Sequence, residues 1–253
     1  LKTELITAPA AYPVTLADTK DAIVVSGTTD DDLIRAYIHS ATEAAEQFLR
    51  RRLVYQTIKL HLDDWPDGDA IVLPFGWLQS VTHVKYKDTD GDQSTFSSDD
   101  YIAETATGLL AGRIVLGYGE TWPSTTLYPS SPIEIQFVCG RYAGAEWEAS
   151  TAKSAGDVVA PTYSNRSGLV FVAGGDGTTD ATEPTWTTTA GGTTTDNDIT
   201  WTAHPAIPDP ICQAIYLMVG ELYMQREPLV IGTIVQQLPV VKNLLTPFKL
   251  WRP

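Results

Sequence analysis

The chain changes character twice along its length, and that interruption limits the folds open to it. Residues 13–140 read as a helix-then-strand sequence, and residues 208–253 as a helix followed by an apolar tail. Between about Trp147 and His204 the composition turns to Thr, Gly, Asp and Trp, with almost no Leu or Ile. In so short a stretch, aromatic rings must supply most of any core. The expectation is therefore a discontinuous host domain, residues 1–144 and 205–253, carrying an inserted β module at residues 145–204. A scaffold that carries a module presents something, which points to recognition and assembly before chemistry.

Local signals give the host its elements. Pro13-Val14-Thr15 leads into Leu16–Ile23, where Thr15 is placed to cap a short helix and Asp18 holds the capping-box position. Gly27 ends that segment. Thr29 and Asp30 offer caps to a long helix, Asp30 to Leu53, whose residues Leu33, Ile34, Tyr37, Ile38, Ala41, Ala45, Phe48 and Leu49 recur at helical spacing. Asp31 and Asp32 fall in its first turn and Arg50, Arg51 and Arg52 in its last, each matching the helix dipole. Strands are expected at 56–62, 70–73, 81–87, 101–103, 113–116 and 133–138, with hairpin-turn chemistry at Asp88–Asp92 and positive φ at Gly91. Asp209 and Pro210 open a further helix that Pro228 closes. Residues 229–237 read as a loop and 238–245 as a short helix.

Charge and motif content narrow the function. The 253-residue chain carries a net charge of −14. That balance is poorly suited to gripping DNA, because grip comes from Lys and Arg neutralising phosphates. An acidic wall would let DNA slide past, although acidity also serves solubility alone. Cys139 and Cys212 belong to no metal or redox spacing and are expected as free thiols. No apolar run reaches the length of a membrane span and no signal peptide is present, so a soluble chain made in a reducing cytoplasm is expected. The four histidines, His39, His61, His83 and His204, fall in no HExxH or Cys/His pattern, and neither GxSxG nor a Walker-type loop occurs. No catalytic, cofactor or metal residue is assigned. Asp88, Asp90 and Asp92 resemble the start of a calcium loop, but position twelve is Asp99 rather than Glu, and a plain hairpin is expected.

Three groups remain as recognition candidates. Arg50, Arg51 and Arg52 suit carboxylate pairing across an interface. Trp147, Trp186 and Trp201 of the interruption are mostly expected as core, with at most one or two as a platform for a glycan or a protein. The apolar tail Pro247-Phe248-Lys249-Leu250-Trp251-Arg252-Pro253 either folds back on the core or inserts into a partner.

The ordered set Pro13–Asp18, Asp30–Ile34, Ala41–Glu46 and Arg51–Thr57 resembles the head–tail connector (adaptor) family of tailed bacteriophages. The likeness continues through Leu73-Pro74, Leu78–Val81, Tyr86–Gly91 and Tyr101. It resumes at Pro208, Ile211, Ala214, Ile215, Leu217, Gly220, Tyr223 and Arg226-Glu227, and ends in Leu244-Leu245 and Trp251-Arg252. The resemblance implies an α+β fold, a small helical bundle with a short antiparallel β element. It also implies a non-enzymatic virion protein, made in the bacterial host cytoplasm and placed in the neck. Twelve copies would form a ring beneath the portal protein, extend the DNA channel without binding the passing genome specifically, and offer the other face to a tail-side stopper or connector. In this family the C-terminal segment docks on the portal, which makes Phe248, Lys249, Leu250, Trp251 and Arg252 the docking residues; Arg50, Arg51 and Arg52 are then expected at the ring interface. No membrane partner is implied.

The interruption, with Trp147, Gly156–Val159, Leu169–Ala173, Gly177–Thr179, Thr182–Trp186, Gly191–Thr193 and Thr200–Thr202, is similar to small all-β modules of the chitin-binding carbohydrate type. It implies an alternative role: a carbohydrate-binding, host-attachment decoration of the virion.

Overall fold

The computed structural model describes residues 2–105, 108–225 and 239–251. In chain order the elements are β1 (Lys2–Thr7), α1 (Leu16–Ala22), α2 (Asp31–Leu49), β2 (Gln56–Leu62), β3 (Ala70–Val72), β4 (Leu78–Lys87), β5 (Gln93–Phe96), β6 (Tyr101–Glu104), β7 (Arg113–Leu116) and β8 (Ile133–Cys139). Then follow β9 (Ala145–Glu146), β10 (Ala152–Lys153), β11 (Val158–Ala160), β12 (Leu169–Ala173), β13 (Gly177–Thr178), β14 (Thr193–Asp196), β15 (Ile199–Pro205), α3 (Asp209–Met224) and α4 (Pro239–Leu245). The α+β class is as expected, but its weighting is not. The expected small helical bundle with a short β element gives way to several helices beside multiple β-sheets, two of them five-stranded. The expected loop at 229–237 and the Arg226-Glu227 and Pro228 positions lie outside the described residues.

Two compact units are formed. The first takes residues 1–10, 49–140 and 248–253; the second takes 11–48 and 141–247. These boundaries differ from the host-and-insert division at 144/145 and 204/205.

The first unit is built on the antiparallel sheet β1-β2-β8-β4-β5 and the smaller sheet β3-β7-β6. Period-two alternation sends Ile58 and Leu60 of β2, Ile133, Ile135 and Phe137 of β8, and Val84 of β4 to one face, where they meet Ile71, Tyr101 and Ile114 of the smaller sheet in one core. The opposite face of the large sheet carries Lys59, His61, His83, Lys85 and Glu134. The β4–β5 turn is a hairpin: Asp88 accepts from the amides of Asp90 and Asp92, and Gly91 sits at φ +87°. Asp88 therefore serves as a turn acceptor. β1 at the sheet's edge escaped the sequence reading because all six of its residues are exposed, leaving no apolar alternation to find.

The second unit combines helices with the sheet β14-β15-β12-β11-β9, antiparallel except for the β9–β11 pair. Thr15 caps α1 by accepting from the Asp18 amide at 3.1 Å, as the capping-box pattern predicts. On α2, Ile34, Ile38, Ala41 and Ala45 are buried, the helical spacing seen in the sequence. On α3 the buried residues are Ile211, Ala214, Ile215 and Val219. The Tyr223 hydroxyl donates to Asp30 at 2.6 Å and ties α3 to the start of α2. α3 opens at Asp209 with Pro208 as cap, one residue from the expected placement.

The sheet of the second unit has its own core: Trp147, Val159, Phe171, Ala173, Trp186, Ile199, Trp201 and Ala203, all between residues 145 and 204. Two carboxylates organise it. Asp196, 2% exposed, accepts from the indole N–H groups of Trp147 at 2.8 Å and Trp201 at 3.2 Å, and from the Asp180 amide at 2.8 Å. Glu183 accepts from the Thr162 amide and hydroxyl, the Asn165 amide group and the Trp186 indole. Burial alone would push the Glu183 carboxyl up; these donors outweigh it and hold the group below the usual carboxylate range.

Candidate docking site at the C-terminal strap

α2 does not run to Leu53. Its last helical residue is Leu49, and Arg50 takes φ +55°, the left-handed conformation that commonly ends a helix. The arginine triplet is therefore not a last helical turn, and its members part company. Arg50 is exposed, Arg52 half-buried, and Arg51 fully buried at 0% exposure. Dipole matching at the surface was the wrong physics for Arg51, because burial with hydrogen bonds and a ring face governs it instead.

The Arg51 pocket is made by unusual backbone. Phe75, Gly76 and Trp77 all hold positive φ, at +73°, +59° and +46°. Such conformations are uncommon outside glycine and mark a segment over-determined by its surroundings. They bring the Trp77 ring to 5.0 Å from the Arg51 guanidinium carbon and the Phe75 ring to 4.8 Å from that of Arg52. A Cβ at Gly76 would collide with Arg51 Nη1, which burial and hydrogen bonds hold in place, so a larger residue here is disfavoured. Arg51 Nη2 donates to the Leu109 carbonyl and Nε to the Phe248 carbonyl, the latter at 2.6 Å. A buried guanidinium is thus held by two backbone carbonyls and a ring face, with no carboxylate among these three partners.

One of those carbonyls belongs to the C-terminal segment. Phe248 is half-buried, Leu250 is 7% exposed, and the Leu250 amide donates to the Leu49 carbonyl at 2.8 Å. Beyond this anchor Trp251 is 67% exposed, with Lys249 Nζ 5.3 Å from its ring centre. The segment is a strap: Phe248 to Leu250 folds back on its own unit, and Trp251 projects. The sequence offered fold-back and insertion as alternatives; the strap divides them between neighbouring residues. Arg252 lies outside the described residues. Sequence reading missed the Arg51–Phe248 link because nothing local couples positions 197 residues apart.

The three tryptophans of the interruption are all core. Trp147 and Trp186 are each 8% exposed and Trp201 fully buried; the Trp186 ring lies 4.2 Å from Phe171 and 6.2 Å from Trp201. Their N–H groups are spent on Asp196 and Glu183, the usual condition for a buried indole. None of the three rings is exposed as a platform. Among the described rings of that stretch Tyr163 is the exposed one, at 81%, with the Arg166 guanidinium 5.5 Å from it.

Little here resembles a reaction centre. Among the described residues no group of three or more His, Cys, Asp or Glu is placed to hold a metal ion. Neither Cys139 nor Cys212 forms a disulfide, and burial pushes the Cys212 thiol up to about 12, far from a nucleophile's range. His39 pairs with Glu43 on the surface at 3.6 Å, while burial pushes His204 down beside Tyr142. No described helix is long and apolar enough to cross a membrane.

A family model described as phage gp6-like head-tail connector protein matches residues 13–109. No curated protein matches the chain. Among solved structures, a chain in the neck of an empty gene transfer agent particle aligns with TM-score 0.62 at 16% identity, covering 100% of this chain and 97% of that one. A chain of the native gene transfer agent virion gives 0.60 at 17% identity, with the same coverages. A third, in the native neck with C12 symmetry, gives 0.60 at 16% identity over the same shares of both chains. Over its whole length, interruption included, the chain has the fold of those particle chains, and residues 13–109 are similar in sequence to the connector family model.

Proposed function

We propose that this chain is a head–tail connector of a tailed phage or a phage-like particle, acting by assembly. Copies form a ring beneath the portal protein, twelve by the connector resemblance and in keeping with the C12 symmetry of one matched neck, extend the channel through which DNA passes, and offer a surface to a tail-side stopper or connector. The single observation that carries this reading is the full-length fold match to neck chains, with 100% and 97% of the two chains aligned. The match of residues 13–109 to a connector family supports it independently. The virion neck is the corresponding location.

Within that reading the strap gives the portal-docking segment a physical form. Phe248 and Leu250 anchor it, and Trp251, with Lys249 beside its ring and Arg252 next in sequence, is the part offered to the portal. Arg50 is the exposed member of the triplet and the one available at a ring interface. Residues 145–204, with their self-contained core, are read as an inserted β module displayed by the connector.

Electron microscopy of the chain mixed with the cognate portal ring tests the reading. A collar added to the portal supports it, and a bare portal beside free chains overturns it. Trp251→Ala should weaken collar formation without altering the fold. For the alternative, host attachment through a carbohydrate, the exposed ring to test is Tyr163; glycan-array binding lost in Tyr163→Ala would favour it.

A further inference from the structure

The outer face of the large sheet in the first unit concentrates positive charge in an acidic chain. Registers across β1, β2, β8 and β4 align Lys2 with His61, His61 with Glu134, and Glu134 with Lys85; the next row aligns Glu4 with Lys59, Lys59 with Gln136, and Gln136 with His83. Lys87 continues the face along β4. Lys2, Lys59, Lys85 and Lys87 are four of the chain's eight lysines, set against only two glutamates on this face. One of those, Glu134, already serves Lys59 at 3.1 Å and His83 at 2.9 Å; burial would raise its carboxyl, but these partners hold it low. Lys2 and Lys87 are exposed and Lys85 half-buried.

The same sheet ends in the opposite charge. β2 and β4 are both antiparallel to β8, with Leu62 and Tyr86 both opposite Ile133, so the connections leaving β2 and β4 emerge at one end. Those connections, residues 63–69 and 88–92, contain seven aspartates and no lysine or arginine. A groove of about 560 Å³ opens at this end, lined by Asp63, Asp64, Trp65 and Trp122, whose two rings are parallel and 5.0 Å apart.

We infer that the lysine face of one copy docks the aspartate-rich sheet end of a second copy, head to tail. The inference rests on the connector reading, for which it names the ring contact. Two different patches on one chain make a heterologous interface, which closes into a ring when the rotation between copies allows. Charge complementarity selects the occupant. A face already part-neutralised by Glu134 and Glu4 is a weak match for a phosphate backbone, which needs many free cations. It is a good match for carboxylates that this chain carries in excess at one known place. Within the arginine triplet Arg51 is buried and Arg52 lies against Phe75, so Arg50 is the member left to add to this contact.

Zero-length carbodiimide coupling of a concentrated equal mixture of isotopically light and heavy full-length chains tests it. The expected result is mixed-isotope amide links joining Lys85 or Lys87 to aspartates of 63–69 or 88–92. Self-association should weaken roughly tenfold as salt rises from about 0.05 M to about 0.5 M, because exposed charges are then screened. The double variants Lys85→Glu with Lys87→Glu, and Asp67→Lys with Asp90→Lys, should each lose the links while keeping the wild-type melting temperature. Mixing the two should restore association between the swapped chains. Links that form only within one chain, association unchanged by either variant, or duplex DNA binding that depends on Lys85 and Lys87 without any link between copies would each overturn the proposal. Portal collars settle the two readings separately: collars formed by both variants as by wild type discard this interface and keep the connector, whereas wild-type links without any collar keep the interface and discard the connector.

Discussion

Leu250 and Trp251 are adjacent, yet the structure assigns them opposite duties, and substituting each in turn separates anchoring from display. Leu250 is 7% exposed and Trp251 67%. Leu250→Ala leaves the main-chain bonds of the strap intact, from Arg51 Nε to the Phe248 carbonyl and from the Leu250 amide to the Leu49 carbonyl. What it removes is buried aliphatic surface and the packing around it, a loss of about 2–3 kcal/mol at the low end of buried Leu→Ala substitutions. A unit of this size shifts by about 4 °C per kcal/mol, so its melting temperature should fall by about 8–12 °C. Trp251→Ala removes a ring already in solvent and should stay within about 0.5 kcal/mol. The assay is differential scanning calorimetry of both variants, with urea unfolding to check that the m-value is unchanged. A silent Leu250→Ala, or a Trp251→Ala that costs as much as Leu250→Ala, would falsify the strap assignment. Deleting residues 246–253 is the less informative experiment. It also takes away an acceptor of a fully buried guanidinium, so failure to join a portal would mix lost docking with lost stability.

Three further outcomes follow from named contacts. Gly76→Ala forces a side chain into the left-handed region and against Arg51 Nη1; the combined cost of about 2–5 kcal/mol should appear as a lowered urea midpoint. Asp196→Ala strips the acceptor from two buried indoles, at about 1–3 kcal/mol for each stranded donor, and near-ultraviolet circular dichroism should lose its tryptophan signal while far-ultraviolet signal from the helices persists. Glu183 has its folded pKa depressed, so the stability it contributes is present above the unfolded carboxylate value near 4.5 and lost as pH falls through the lower folded value. Glu183→Gln should therefore flatten the acid limb of the stability curve for residues 145–204, and an acid limb identical to wild type would remove Glu183 from that role.

How much was legible depended on range. Thr15 with Asp18, the Ile34–Ala45 stripe and the alternation of β2 and β8 were readable because each signal is complete within a few residues. The self-contained aromatic core of 145–204 was readable from composition, since so few aliphatics leave rings as the only filler. Arg50–Arg52 misled because a basic triplet after an apolar stripe has the local signature of a helix C-terminus. What overrides it, the left-handed turn at 75–77 and the Phe248 carbonyl, comes from distant segments. The proportion of sheet to helix was underestimated for a related reason. β1 and β5 are paired edges whose residues are nearly all exposed, so they carry no apolar period, and their strand character comes from the ladder alone.

The first unit is threaded by three separated stretches of chain, of which the last begins at residue 248. During synthesis, β2 to β8 can pair as soon as residue 139 has left the ribosome, but Arg51 must wait for a partner nearly two hundred positions downstream. Long-range closure of this kind is slow compared with hairpin formation. The guanidinium therefore lacks one acceptor for most of the chain's translation, and the unit reaches its final stability only when the strap arrives. A truncated product would carry every strand of the large sheet and still be marked, by that missing closure, as prey for proteolysis. Subunits competent to assemble would then be those translated through to the strap.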